Sequence, residues 1–204
     1  MTTILHASQL SFAHPEQTLF KDWSAAIPGG VTLIKCDESR GKTSLLRLLA
    51  ADLPAQAGTL SIKGIILSEQ PAKYRSEVFY LEPRTEVFDQ LSPLDFFTRM
   101  ATRYPGFDAA KLPALMTGLS LTPHQDKPLY MLSAGSKRKV WIAAGLVCGA
   151  AVTLIDDVYA ALDMGSIEFL TEQFIRVAQQ TDRACIVTHY DLLERVPCAC
   201  VITL

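Results

Sequence analysis

An α/β fold with a mostly parallel central sheet, an N-terminal antiparallel β-subdomain and a small inserted helical subdomain is predicted by three observations. The apolar run Val31-Thr32-Leu33-Ile34 passes through a polar loop, Cys36 to Ser44, into Leu45-Leu46-Arg47-Leu48-Leu49, which reads as strand, tight loop and helix. In the second half, strand-like runs alternate with helical ones, which favours parallel strands joined by crossovers. Ahead of both, residues 4 to 27 alternate between apolar and polar, as paired antiparallel strands do. The 204 residues, 49% of them hydrophobic, suffice for one domain with a substantial core. The chain is therefore taken as a single unit over 1–204, with a core of about 1–90 and 144–204 and the helical part at about 91–143.

Each element has its own cause. Leu10, Phe12, Leu19, Phe20 and Trp23 mark the first two strands, and His14-Pro15-Glu16-Gln17 is the turn between them. Pro28-Gly29-Gly30 then turns the chain into the strand that precedes the polar loop. Ala57 to Gly64 reads as an edge hairpin and Val78-Phe79-Tyr80-Leu81 as a strand. From about Leu91 the spacing becomes helical: Leu94, Phe96, Phe97, Met100 and then Leu112, Leu115, Met116, Leu119 lie on faces that belong in a core. Val152-Thr153-Leu154-Ile155 is a continuous apolar run, the mark of a strand covered on both faces. A helix over Ser166 to Gln180, a strand Ala184 to Thr188, a short helix around Tyr190 to Arg195 and a closing strand Cys200 to Thr203 follow.

Composition excludes several classes. Lys and Arg number 19 against 21 Asp and Glu, so the net charge of −2 offers no general attraction to nucleic acid or anionic lipid. Five cysteines at irregular spacing fit reduced thiols in a cytosolic protein, with Cys198 and Cys200 as small residues on one face of a terminal strand. The N-terminus lacks the basic-then-apolar pattern of a secretory peptide. Val140 to Ile155 is almost uncharged but shorter than the ~20 residues of a membrane-spanning helix, and glycines interrupt it. It is expected to be a buried helix followed by a buried strand.

The polar loop carries the first chemistry. A loop between a buried strand and a helix N-terminus aims backbone N–H groups and the positive end of the helix dipole at one point, which suits a phosphate. Lys42 supplies a charge for terminal phosphates and the Thr43 hydroxyl a magnesium ligand. Gly-Lys-Thr alone also reads as an ordinary helix start with a solvated lysine. Asp156-Asp157 ends the apolar strand, where open α/β sheets place their ligands. There a first acid can hold magnesium and a second can orient or deprotonate a water. His189 ends the next strand at the same sheet edge, in reach of a terminal phosphate. Leu132-Ser133-Ala134-Gly135-Ser136 opens a further helix and gives a second anion-binding N-terminus. The run Lys137-Arg138-Lys139 beside it reads either as a solvated helix face or as a nucleic-acid patch, and the absence of interleaved aromatics disfavours the patch.

Taken in this order, the segments resemble the ATP-binding cassette ATPases over nearly the whole chain. Ser39-Arg40-Gly41-Lys42-Thr43-Ser44 looks like the end of the Walker A loop, Leu132 to Ser136 like the family signature, and Leu154-Ile155-Asp156-Asp157 like Walker B. Ala161-Leu162-Asp163 is similar to the D-loop and Thr188-His189 to the switch histidine, and the spacings also agree. The short length and Tyr104-Pro105-Gly106-Phe107-Asp108 look most like compact bacterial exporter cassettes of the haem and bacitracin types. The resemblance implies a P-loop NTPase fold, ATP and Mg2+ as cofactors, and a homodimer or heterodimer of ATPase subunits. In that dimer each ATP lies between the phosphate loop of one subunit and Ser133, Ala134, Gly135 and Ser136 of the other, with Asp163 coupling the two sites. It implies integral membrane transporter subunits as partners, peripheral attachment to the cytoplasmic face of the membrane, and adenine stacked on His14, with Phe12 as the alternative.

The departures from the family bear on activity. Asp157 stands where the family has glutamate, about 1.5 Å shorter in reach, and Cys36 stands where the loop begins with glycine. The family's glutamine, which touches magnesium, should fall near Tyr80-Leu81-Glu82-Pro83, where Glu82 is the candidate ligand. The resulting expectation is an ATP-hydrolysing transporter subunit with Lys42, Thr43 and Asp156 on nucleotide and metal, Asp157 as base and His189 on the terminal phosphate. The alternative is a degenerate cassette that binds nucleotide, scarcely hydrolyses it, and serves as a regulatory or assembly module.

Overall fold

The computed structural model describes residues 2–15, 17–35 and 41–204. Two sheets form its frame. The first four-stranded sheet has the order β2-β1-β4-β5, built from β1 (Thr3–His14), β2 (Gln17–Pro28), β4 (Ala57–Ile62) and β5 (Ile65–Ile66), and is antiparallel throughout. The second has five parallel strands in the order β6-β7-β8-β3-β9, from β3 (Gly30–Lys35), β6 (Val78–Tyr80), β7 (Val152–Ile155), β8 (Ala184–His189) and β9 (Cys200–Thr203). The predicted antiparallel subdomain and parallel sheet are both present.

Side-chain alternation along the parallel strands divides the core into two. From one face Ile34, Val152, Leu154, Ala184 and Ile186 join the antiparallel sheet and helix α1 (Lys42–Leu49), whose Leu45, Leu46, Leu48 and Leu49 are all buried. From the other face Val31, Leu33, Phe79, Cys185 and Val187 meet the helices α3 (Pro93–Arg103), α4 (Leu112–Gly118), α5 (Ala134–Val147) and α6 (Met164–Val177). Helix α1 is thus held between two sheets. Its C-terminal end is also fixed, because the buried Tyr74 hydroxyl donates to the Leu49 carbonyl at 2.8 Å from the short helix α2 (Pro71–Ser76). That helix is absent from the sequence reading.

Val140 to Ile155 divides as expected into the end of α5 and β7, with Gly149 turning the chain between them at φ +74°. Its neighbour there is Gly106, whose carbonyl would lie 2.3 Å from a Cβ on Gly149, so the close approach of backbones requires glycine. In the helical part Phe96, Phe97, Met100, Leu115, Met116 and Leu119 are buried, while Leu94 turns outward at 43% exposure. Helix α3 starts on a full capping box in which Ser92 and Asp95 satisfy each other's backbone N–H groups.

Two expectations are corrected. Residues 190 to 195 form bends and a turn rather than a helix: Leu193 and Val196 anchor the segment at 6% and 7% exposure while Leu192 between them points outward. Only one of the two cysteines expected on the last strand is in it. Cys200 begins β9, whereas Cys198 precedes the strand and packs against the helical-side core. No helix among the described residues is long and apolar enough to cross a membrane.

Candidate nucleotide site

The C-terminal edge of the parallel sheet gathers the site. Strand β3 delivers the loop before α1, β7 delivers Asp156 and Asp157, and β8 delivers Thr188 and His189, because β8 is the shared neighbour of β3 and β7. The register pairs Lys35 with His189 and Ile155 with Val187, so the ends of these strands lie side by side. Ser39 and Arg40, with Cys36, Asp37 and Glu38, lie outside the described residues.

Gly41 precedes α1 at φ +92°, a left-handed conformation for which glycine is the ordinary residue. Lys42 and Thr43 then occupy the first positions of the helix. The Thr43 hydroxyl donates to Asp156 Oδ2 at 2.5 Å, joining residues 113 positions apart. On its other oxygen, Asp156 Oδ1 accepts from the Thr188 hydroxyl at 2.8 Å, and the same hydroxyl accepts the Asp157 backbone N–H at 2.7 Å. Thr188 is fully buried and fixes both acids at once. On the far side of α1's first turn, Ser44 Oγ lies 3.4 Å from His14 Nε2. His14 is exposed, whereas Phe12 is 7% exposed and meets the His14 ring edge-on at 5.0 Å, which leaves His14 the available stacking surface.

Asp157 adopts φ +46°, two residues past the end of β7. Its carboxylate Oδ1 is 3.6 Å from His189 Nδ1, and the His189 ring is itself held between Tyr159 and Tyr190. Glu82 is exposed in the turn after β6. Tyr80, which ends that strand, has a buried hydroxyl with no hydrogen-bond partner among the described residues. Burial pushes that hydroxyl's pKa up, and the charges of Asp156 and Glu82 push it further, so the tyrosine lies within their electrostatic reach. Sequence reasoning missed Tyr80, because a tyrosine inside an apolar strand gives no sign that its hydroxyl lacks a partner.

The second group of predicted residues is elsewhere. Ser133 caps α5, its hydroxyl accepting the Ser136 N–H at 3.1 Å, and Ala134 is the first residue of that helix. Gly135 packs so closely that an added Cβ would lie 2.3 Å from the Ala161 carbonyl oxygen. Asp163 caps α6 through Ser166 and accepts the Lys139 ammonium at 2.6 Å. That hydrogen bond from Lys139, with those from Ser166, holds the Asp163 carboxyl below the ordinary carboxylate range. Among the described residues, these side chains make their hydrogen bonds within α5 and α6, not to Thr43 or Asp156.

The solvated-face reading of Lys137-Arg138-Lys139 does not hold, because all three side chains are engaged within the chain. Lys137 donates to Asp89 Oδ1 at 2.6 Å, Arg138 Nη2 donates to the carbonyls of Asp156 and Asp157, and Lys139 reaches Asp163. Burial lowers the pKa of Arg138, opposed by the charges of Asp157 and Asp156.

A glycine-led helix start facing a strand-end acid across a parallel sheet, flanked by an antiparallel sheet and a helical layer, defines a nucleotide-binding ATPase cassette. A family model described as ABC transporter matches residues 28–160. The chain belongs to the ABC transporter family, as an ATP-binding ATPase subunit; ATP hydrolysis coupled to transport is the family's general activity. It is 26% identical over 190 residues to the cytochrome c biogenesis ATP-binding export protein CcmA of Yersinia pestis bv. Antiqua (strain Nepal516), covering 93% of this chain and 87% of the relative. To the protein of the same description from Tatumella citrea it is 29% identical over 196 residues, covering 94% and 91%. Among solved structures, an ATP-binding subunit of an ABC transporter superposes with a TM-score of 0.81 at 21% identity, covering 92% of this chain and 80% of that one. A putative ABC transporter ATP-binding protein from Pyrococcus furiosus superposes at 0.78 with 20% identity, covering 98% and 96%.

Proposed function

We propose that the edge formed by α1, β7 and β8 binds ATP together with Mg2+. The observation that carries this is the 2.5 Å hydrogen bond between Thr43 Oγ1 and Asp156 Oδ2. A hydroxyl and a carboxylate brought together at the positive end of a helix are hard oxygen ligands of the kind magnesium takes. The residues therefore fit the metal, with Thr43 and Asp156 as its ligands and Glu82 as a further candidate. Gly41, Lys42, Thr43 and Ser44, with Ser39 and Arg40, are assigned to the phosphates and His14 to the adenine. When bound, magnesium supplies charge neutralisation at the phosphates. Asp157 accepts the proton of an attacking water and His189 donates to the terminal phosphate.

The remaining assignments concern partners. Ser133 to Ser136 and Asp163 serve a second ATPase subunit, and they are free of the Thr43 and Asp156 site within one chain. Met164 and Tyr190, beside Asp163 and His189 in sequence, are 69% and 65% exposed, which suits burial against that subunit. Membrane subunits are assigned to the surface around Glu82, placing the chain on the cytoplasmic face of a membrane. The relatives' descriptions support an export system connected with cytochrome c biogenesis. The chain is read as one cassette over 1–204, with the helical part at about 91–143.

Steady-state phosphate release from the wild type and from Lys42→Ala tests the reading: the variant is expected to lose nearly all turnover, and equal rates would overturn it. The shorter acid at Asp157 favours one further reading, a cassette that binds ATP without turning it over. Asp157→Glu separates the two. A sharp rise in turnover marks a weakened enzyme, whereas ATP binding with no hydrolysis in either protein, membrane partner present, marks a binding module.

A further inference from the structure

Consecutive residues on a helix project about 100° apart, so Lys137, Arg138 and Lys139 leave α5 in three directions. Lys137 and Asp89 form an ion pair in which each side chain is only 18% exposed, and Lys139 is 10% exposed where it meets Asp163. These two contacts anchor the helix on either side. The middle residue does something different. Arg138 Nη2 donates to the carbonyl oxygens of Asp156 and Asp157, the latter at 2.6 Å, while its buried Nε has no partner among the described residues.

Placing a guanidinium away from water is costly unless its donors are used. Here the terminal nitrogen is spent on backbone rather than on a carboxylate. The peptide it grips is unusual, since Asp157 lies in the left-handed region at φ +46°. The same residue is held from its other side by the Thr188 hydroxyl. An aspartate has only two side-chain torsions, so the direction of its carboxylate is set mainly by its backbone. A glutamate in that place has a third torsion with which to search.

We propose that Arg138 is a positioning residue for catalysis: by holding the carbonyls of Asp156 and Asp157 it fixes the left-handed backbone of Asp157 and so aims a short carboxylate at the attacking water. The proposal rests on the assignment of Asp157 as the base. Arg138→Met, which keeps the length of the side chain without its donors, is expected to lower kcat for phosphate release about tenfold or more, a part of the effect of a positioned base, with KM for ATP and the equilibrium affinity for ATP nearly unchanged. Arg138→Lys restores one donor and should recover part of the loss. Hydrogen exchange of the full-length chain, read on a peptide covering 156–160, should quicken in Arg138→Met, because the Asp157 and Val158 amides are bound to Thr188 at 2.7 and 3.1 Å.

An unchanged kcat overturns the proposal. So does a loss of ATP affinity and melting temperature in step with kcat, the sign of a structural role alone, or no recovery in Arg138→Lys when that variant folds as stably as wild type. If the wild type never hydrolyses ATP with its membrane partner, the assignment of Asp157 fails and the proposed catalytic role with it. The exchange measurement then still reports whether Arg138 holds this backbone, so the two failures are distinguished.

Discussion

Replacing Thr188 by valine reverses the outcome that burial alone predicts. Thr188 is fully buried in a β-strand, where valine fits by shape and adds apolar surface. Its hydroxyl, however, donates to Asp156 Oδ1 at 2.8 Å and accepts the Asp157 N–H at 2.7 Å. A hydrogen bond to a charged group contributes about 1.5 to 3 kcal/mol and a neutral one about 1 kcal/mol. The extra methyl of valine offsets about 0.8 kcal/mol. The net loss in Thr188→Val is therefore about 2 to 3 kcal/mol, or about 4 to 12 °C in Tm at this chain length. Thr188→Ser keeps the hydroxyl and loses a methyl, about 1 kcal/mol. Urea denaturation at pH 7 should rank the proteins wild type, serine, valine, with unchanged m values. A valine variant as stable as the serine variant or more so would refute the reasoning.

Two further outcomes follow from the same contacts. Gly135→Ala forces a methyl against the Ala161 carbonyl, backbone that cannot rotate away, and should destabilise the chain by about 1 to 3 kcal/mol as read from the urea midpoint. Asp163→Asn keeps the α6 cap and discards the charge. Since the folded carboxyl has a lowered pKa, its contribution is present above the unfolded value of about 3.9 and fades as pH falls through the folded one. The stability gap between wild type and Asp163→Asn should thus be larger at pH 6 than at pH 3, and it will be small because Asp163 is 62% exposed.

The meeting of Thr43 and Asp156 was legible in the sequence because one belongs to a helix start and the other to a strand end, and parallel sheets bring such ends to one edge. Ser133 as a helix cap and Asp156-Asp157 as a strand terminus were legible for the same reason. Arg138, Thr188 and Tyr80 were harder. A basic run has the same composition whether its side chains face water or grip carbonyls, and only the helix phase relative to β7 decides which. Thr188 looked like one more β-former beside a histidine. The six-residue α2 is too short to show a period, and its single buried anchor, Tyr74, has no neighbour of its kind a turn away. Around Leu193 and Val196 the opposite error arises: two anchors three residues apart mimic a helix, but Pro197 follows at once and the chain turns without forming one.

The three-way anchoring of α5 also bears on how the two groups of residues proposed for the nucleotide can influence each other. Ser133 to Ser136 head the helix whose residues 137 to 139 hold Asp89, Asp157 and Asp163. A rigid-body shift of that helix start would therefore reach the carbonyl of Asp157 through a single side chain, without any need for a long relay. Such coupling demands that the helix move as a unit and carry Asp89 and Asp163 with it, since the ion pairs of Lys137 and Lys139 tie it to both. In a cassette with the family's longer glutamate, the acid could follow small displacements by adjusting its own torsions. With Asp157 it has less freedom to do so, and the chain's activity should depend more steeply on where α5 sits.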